Sequence, residues 1–264
     1  MNNKISVIYC TCDKYERLWA GFFGLWCKYW PDFDASIIIN TESKSFSFPG
    51  LDIKRPNVEI MGATWSERLY ASLESVDTPY VLLTLDDFYI KNPVDTDTLG
   101  MCIKQLDVDP NAMLFTFGWQ PGKNKACAFS DKFEERARFA PYRVNAQIAL
   151  WRVSYLKRII KLYENPWQFE LNGSFRSSLY GGKLYSLKKD APLVFDYDWG
   201  FLIVRGQLNR EVADYFEQNE NIRFGDSISE IDIAAYRKRG EKRNGFKLRK
   251  LRYLVEMIIS LFRQ

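Results

Sequence analysis

The run Thr78-Pro79-Tyr80-Val81-Leu82-Leu83-Thr84-Leu85-Asp86-Asp87-Phe88-Tyr89-Ile90 constrains the fold more than any other stretch. Its apolar body, opened by Pro79, predicts a strand buried on both faces, as in a parallel α/β sheet. That strand stops at two adjacent carboxylates. Acids placed together at the carboxyl end of a central strand repel each other and lose hydration unless a cation neutralises them, and open α/β sheets bind ligands at that edge. A divalent metal holding a phosphorylated ligand reconciles these facts. Taken alone, the pair is also readable as a solvated turn that caps the next segment.

The sequence before this strand alternates regularly. Ile5–Cys10 is a short β-prone run, and the polar turn Thr11-Cys12-Asp13-Lys14 leads into a helical pattern of Leu18, Trp19, Phe22, Phe23, Trp26 and Trp30 that Pro31 stops. A first turn of this kind lies at the carboxyl edge, where Thr11 and Asp13 can contact a nucleotide; an Asx-type turn is the alternative. Residues 35–40 form a second buried strand, and 58–60 a short third. Thr64-Trp65-Ser66-Glu67 has the form of a capping box, opening a helix with Leu69, Leu73 and Val76 inward. The order is β-α-β-(β)-α-β, a parallel layout with the acids at the end of the fourth strand. Further on, periodicity predicts a helix at 97–106, a strand at 112–119, a mobile loop over 118–138, a strand at 145–152 and a helix at 154–163. An aromatic segment flanked by acids comes next at 164–170, then strands at 184–187 and 201–204 and helices at 208–218 and 227–238.

Composition removes several chemistries. None of the 264 residues is histidine, which excludes Ser-His-Asp triads, His-based general bases and His-rich zinc sites. Proton transfer falls to Asp, Glu, Tyr, Lys or Cys. The five cysteines are odd in number and lack zinc-site spacing, as in a reduced cytosolic protein. Neither GxGxxG nor GxxxxGK[ST] occurs, which disfavours Rossmann dehydrogenases and P-loop enzymes. With 47% hydrophobic and 16% aromatic residues the chain is expected to form one packed domain, 1–239, with a tail. It shows no signal-peptide pattern and no apolar run near the ~20 residues of a spanning helix, so it is expected to be neither exported by that route nor integral.

The net charge is +4, and much of the positive charge gathers after Lys238. Leu248, Leu251, Val255, Ile258 and Phe262 then fall on one helical face. Residues 240–264 are thus expected to form a basic amphipathic helix suited to an anionic membrane surface, or one packed on the domain or on a second subunit of a homo-oligomer. No nucleic-acid motif accompanies the basic run, so nucleic acid is not an expected partner.

Trp65-Ser66-Glu67-Arg68-Leu69, Leu85-Asp86-Asp87-Phe88, Asn145-Ala146-Gln147-Ile148-Ala149-Leu150-Trp151-Arg152 and Asn165-Pro166-Trp167-Gln168-Phe169-Glu170 stand in an order that resembles the GT-A nucleotide-sugar glycosyltransferases of bacterial polysaccharide biosynthesis. The similarity covers roughly residues 4–205, with Leu85-Asp86-Asp87-Phe88 as a degenerate DxD. The resemblance implies a mostly parallel, Rossmann-like sheet flanked by helices. It implies Asp86 and Asp87 as ligands of Mn²⁺ or Mg²⁺, donor contacts from Thr11, Cys12, Asp13, Trp65, Arg68 and Asp86, and Glu170 as the base of an inverting transfer. A carboxylate flanked by Phe169 and Trp167 can be partly desolvated and its pKa raised, which suits that role. Trp119 and Trp167 are the candidates for stacking on acceptor sugars. The implied reaction takes a UDP-linked sugar to a lipid-linked glycan at the cytoplasmic membrane face. A retaining transferase, or a non-catalytic membrane or subunit adaptor of the same fold, remains the alternative.

Overall fold

The structure is a computed structural model describing residues 4–56, 62–197, 201–225, 228–241, 257 and 259–261. Among the described residues nine strands form one sheet: β1 (Ile5–Cys10), β2 (Ile37–Asn40), β3 (Ile53–Lys54), β4 (Tyr80–Leu85), β5 (Ala112–Trp119), β6 (Asn124–Ala126), β7 (Phe133–Arg136), β8 (Ala149–Arg152) and β9 (Lys183–Leu187), in the order β3-β2-β1-β4-β8-β5-β9-β7-β6. The first four run parallel. β8 enters antiparallel between β4 and β5, which restores β5 and its parallel neighbour β9 to the direction of β4. The carboxyl ends of β1, β4, β5 and β9 therefore open on one edge.

Alternation along β1 sends Ile5, Val7 and Tyr9 to one core and Ile8 and Cys10 to the other. On the first face lie α1 (Glu16–Tyr29), α3 (Thr96–Val108) and α6 (Arg210–Glu220), packing Trp19, Phe22, Leu99, Cys102 and Phe216. On the second lie α2 (Trp65–Glu74), α4 (Val153–Ile159) and α5 (Pro166–Tyr180), packing Leu69, Leu73, Leu156 and Phe169. The predicted capping box is formed: the Thr64 side chain accepts from Glu67 N–H while the Glu67 carboxylate accepts from Thr64 N–H at 2.6 Å. A short hairpin, β10 (Ile203–Val204) and β11 (Gln207–Leu208), and α7 (Ile233–Glu241) follow.

Several expectations are corrected. A third strand lies at β3, whereas 58–60 fall outside the described residues. The supposed loop at 118–138 is largely the β6–β7 hairpin, which extends the sheet from β9. It is organised around a buried cation: Arg136 donates to the carbonyls of Gln120 (2.8 Å), Pro121 (3.0 Å) and Pro141 (2.5 Å), a tertiary arrangement with no periodic trace. Segment 164–170 opens α5, with Asn165 as N-cap, Pro166 in the first turn and Gln168 completing a capping box. Gly173 sits inside that helix, where a Cβ would come within 3.1 Å of Val144 Cγ1; its missing side chain lets α5 approach closely. The strand predicted at 145–152 begins only at Ala149, and the last helix begins at Ile233. Of the expected tail helix, 240–241, 257 and 259–261 alone are described, and α7 runs across its expected start at 240. Among the described residues no helix is long and apolar enough to cross a membrane.

Candidate active site

β1 and β4 end side by side, Cys10 opposite Leu85, and Asp86 N–H donates to the Cys10 carbonyl at 3.2 Å. The two chains leave the sheet together, and a cleft of about 910 Å³ opens above them. Thr11, Cys12, Asp86 and Asp87 line it from the strand ends, Trp65 and Arg68 from α2, Trp167 and Glu170 from α5, and Arg205 from the β10–β11 turn. Residues distant in sequence, predicted separately, thus meet at one edge.

Asp86 is held rigidly. Thr11 Oγ1 donates to its Oδ2 at 2.6 Å, and the buried Trp19 indole N–H donates in turn to Thr11 Oγ1 at 2.8 Å. Burial pushes the Asp86 pKa up to about 7, against the Thr11 hydrogen bond, the backbone and the field of Arg68. Burial, then the charge of Asp86, raises Asp87 as well. Asp87 Oδ1 is buried with no hydrogen-bond partner among the described residues. Two buried carboxylates with an oxygen left unpartnered suit a hard divalent cation that takes oxygen ligands. Among the described residues no group of three or more His, Cys, Asp or Glu is gathered to hold a metal, so the ligand's own oxygens and water would complete the shell.

Arg68 reaches the cleft but is paired with Glu42, whose Oε2 accepts from Asp13 N–H at 2.6 Å. Asp13 is not among the residues lining the cleft. Its carboxylate accepts from the N–H groups of Glu42, Ser43 and Lys44 and from the Ser43 hydroxyl at 2.5 Å, tying the β1 and β2 exits together. Burial alone would raise its pKa, but those donors hold it below the usual carboxylate range.

Glu170 stands across the cleft. Its Oε1 accepts from Ala146 N–H at 2.9 Å, and burial raises its pKa against that bond. Trp167 is 69% exposed at the rim. Trp119 lies outside this cleft, in a separate small pocket beside Leu187.

Four polar contributors escape the sequence reading: Tyr15, Gln147, Arg205 and Tyr236. Arg205 (φ 52°) and Gly206 (φ 79°) both sit in the left-handed region, as the two-residue turn of a tight hairpin demands. The Arg205 guanidinium lies 5.0 Å from the Tyr236 ring centroid. Val204-Arg205-Gly206-Gln207 carries the signal, a glycine between the apolar pair Ile203-Val204 and Gln207-Leu208.

No protein-family model and no curated protein matches the chain. Among solved structures, S. aureus TarS 1–349 is similar at a TM-score of 0.51 and 12% identity, covering 71% of this chain and 59% of that one. The same fragment in complex with UDP-GlcNAc gives 0.51, 14%, 71% and 57%. The galactosyltransferase LgtC, in complex with donor and acceptor sugar analogues, overlays at 0.40 and 12% identity over 69% of this chain and 72% of that one, too loosely to argue from. The chain thus spans under two thirds of the TarS fragment. The likeness shows the fold, a GT-A fold.

Proposed function

We propose that this GT-A fold carries a glycosyltransferase that moves a sugar, with inversion, from a UDP-linked donor to a hydroxyl of a lipid-linked glycan in cell-surface polysaccharide synthesis. The observation that carries the reading is the meeting of Asp86, Asp87 and Glu170 in one cleft at the carboxyl edge. Fold alone does not imply activity, so the reading rests on these side chains. A fold neighbour in complex with UDP-GlcNAc supports the choice of a UDP-linked donor.

The donor diphosphate belongs at the β1–β4 edge, and Mn²⁺ or Mg²⁺ held by Asp86 and Asp87 would supply positive charge for it. Thr11, fixed by Trp19, holds Asp86 in place. Arg68 is compensated by Glu42, so among the described residues that line the cleft Arg205, reached from the hairpin above, is the cation available to the departing diphosphate. Glu170 takes the acceptor hydroxyl proton as the new bond from that oxygen to the anomeric carbon forms. The anomeric carbon to phosphate-oxygen bond breaks on the opposite side, and its electron pair leaves with the diphosphate. A single displacement of this kind inverts the configuration. Trp167 offers a ring at the rim on which an acceptor sugar can stack.

Thermal-shift measurements with a panel of nucleotide sugars test the proposal. A rise in Tm with UDP-sugars, larger with Mn²⁺ than with EDTA, is expected. No rise with any nucleotide would refute it.

A further inference from the structure

We infer that the pocket at Trp119 is a second carbohydrate subsite, which takes a negatively charged sugar unit of the acceptor away from the reacting hydroxyl. The inference rests on reading the main cleft as the donor site. β5 ends at Trp119, in register with Leu187 at the end of β9, and both strands run with β4. Their ends therefore open on the same edge as Asp86. There Trp119, Leu187, Lys188, Lys189 and Leu193 line an open pocket of about 210 Å³.

Phe115 and Phe117, earlier on β5, are fully buried, yet Trp119 is 39% exposed. Its indole offers an apolar face at the pocket, with Lys189 Nζ 5.8 Å from the ring centroid. Neither Lys188 nor Lys189 is in an ion pair among the described residues, and no carboxylate lines the pocket. An aromatic face beside the Lys189 ammonium, in a pocket that Lys188 also lines, suits a sugar ring that bears a carboxylate or a phosphate. One part-buried hydrogen bond runs from the residue after Trp119 to the wall of the cleft. Gln120, adjacent to Trp119, donates from Nε2 to Gln147 Oε1 at 2.9 Å, and Gln147 lines the main cleft.

Isothermal titration of the full chain with trigalacturonate, its fully methyl-esterified form and a phosphodiester-linked sugar oligomer tests the inference, with UDP plus Mn²⁺ titrated in parallel. Binding of at least one anionic oligomer, tenfold or more tighter than the neutral ester, is expected, and which one binds identifies the charged group. Lys188→Gln with Lys189→Gln should weaken the anion at least tenfold and leave the UDP Kd within twofold; Trp119→Ala should weaken all three oligomers. Equal binding of charged and neutral forms, binding of none, or indifference to the double lysine variant would overturn the subsite. Normal UDP binding with no anion binding refutes the subsite alone, whereas anion binding without UDP binding refutes the donor reading instead. The lysine variant keeps the test valid if removal of the indole unfolds the chain.

Discussion

Asp86 carries the sharpest consequences at the scale of single residues. Its pKa stands near 7 in the folded chain, above the ordinary aspartate value of 3.8. Between those values the native state binds more protons than the unfolded one, so this group's contribution makes stability fall as pH rises from about 4 to 7 and then level off. Asp86→Asn keeps an acceptor for Thr11 and removes the buried charge. It should stabilise the ligand-free protein at pH 8 by on the order of 1–3 kcal/mol, read as a higher Tm, and gain little at pH 4. Transfer should fall by at least about a hundredfold in the same variant; an unchanged Tm at pH 8 would contradict the assignment of the buried charge. Glu170→Gln likewise preserves the acceptor for Ala146 N–H. It should lower kcat by about 10² to 10⁴ with little change in donor KM, and near-normal kcat would remove Glu170 as the base. Asp86 and Asp87 are legible in the sequence because charge seldom ends a buried strand, and Glu170 because aromatic neighbours promise desolvation. Arg205 is not, since its place depends on how a short hairpin folds back over the cleft. Asp13 reads as a donor contact because it stands at the right edge, yet its carboxylate is already engaged by three backbone N–H groups.

Among the elements, α5 decides whether Glu170 faces the cleft. Glu164, just before the helix, and Arg176 inside it are both fully buried, joined by two charge-assisted bonds of 2.7 and 2.6 Å. Asn172 Nδ2 donates to Glu164 Oε1 at 2.9 Å, Arg176 Nε to the Ile159 carbonyl at 2.8 Å, and Ser66 Oγ to the Glu164 carbonyl at 2.7 Å. The pair thereby clamps α5 to α2 and α4, with Glu170 midway between its partners in sequence. Arg176→Met would leave a buried carboxylate uncompensated and should cost about 3–5 kcal/mol in chemical denaturation. A loss below about 1 kcal/mol would show that the clamp holds nothing. Helices α1 and α2 are readable because aromatic periodicity and a capping box are local signals. The β6–β7 hairpin is unreadable because a buried arginine, bonded to carbonyls brought in by the fold, replaces the alternation that marks a strand.

The first half of the molecule is set by alternating strand and helix signals, which leave a parallel sheet little choice of topology. The second half is not, because the insertion of β8 against its neighbours is a choice between distant partners. That insertion extends the carboxyl edge from the Glu42 loop to Trp119, much wider than the first four strands offer. The basic run after Lys238 motivates a test of the whole chain: it should float with anionic liposomes, and a chain ending at Arg239 should not. Equal flotation would leave membrane association without support. The bond from the Trp19 indole to Thr11, and from Thr11 to Asp86, also makes the protein its own optical reporter. Any event that alters the charge on Asp86 repolarises the hydroxyl beneath a fully buried chromophore. A near-ultraviolet difference spectrum, lost in Trp19→Phe, should therefore follow occupancy of the cleft without a label.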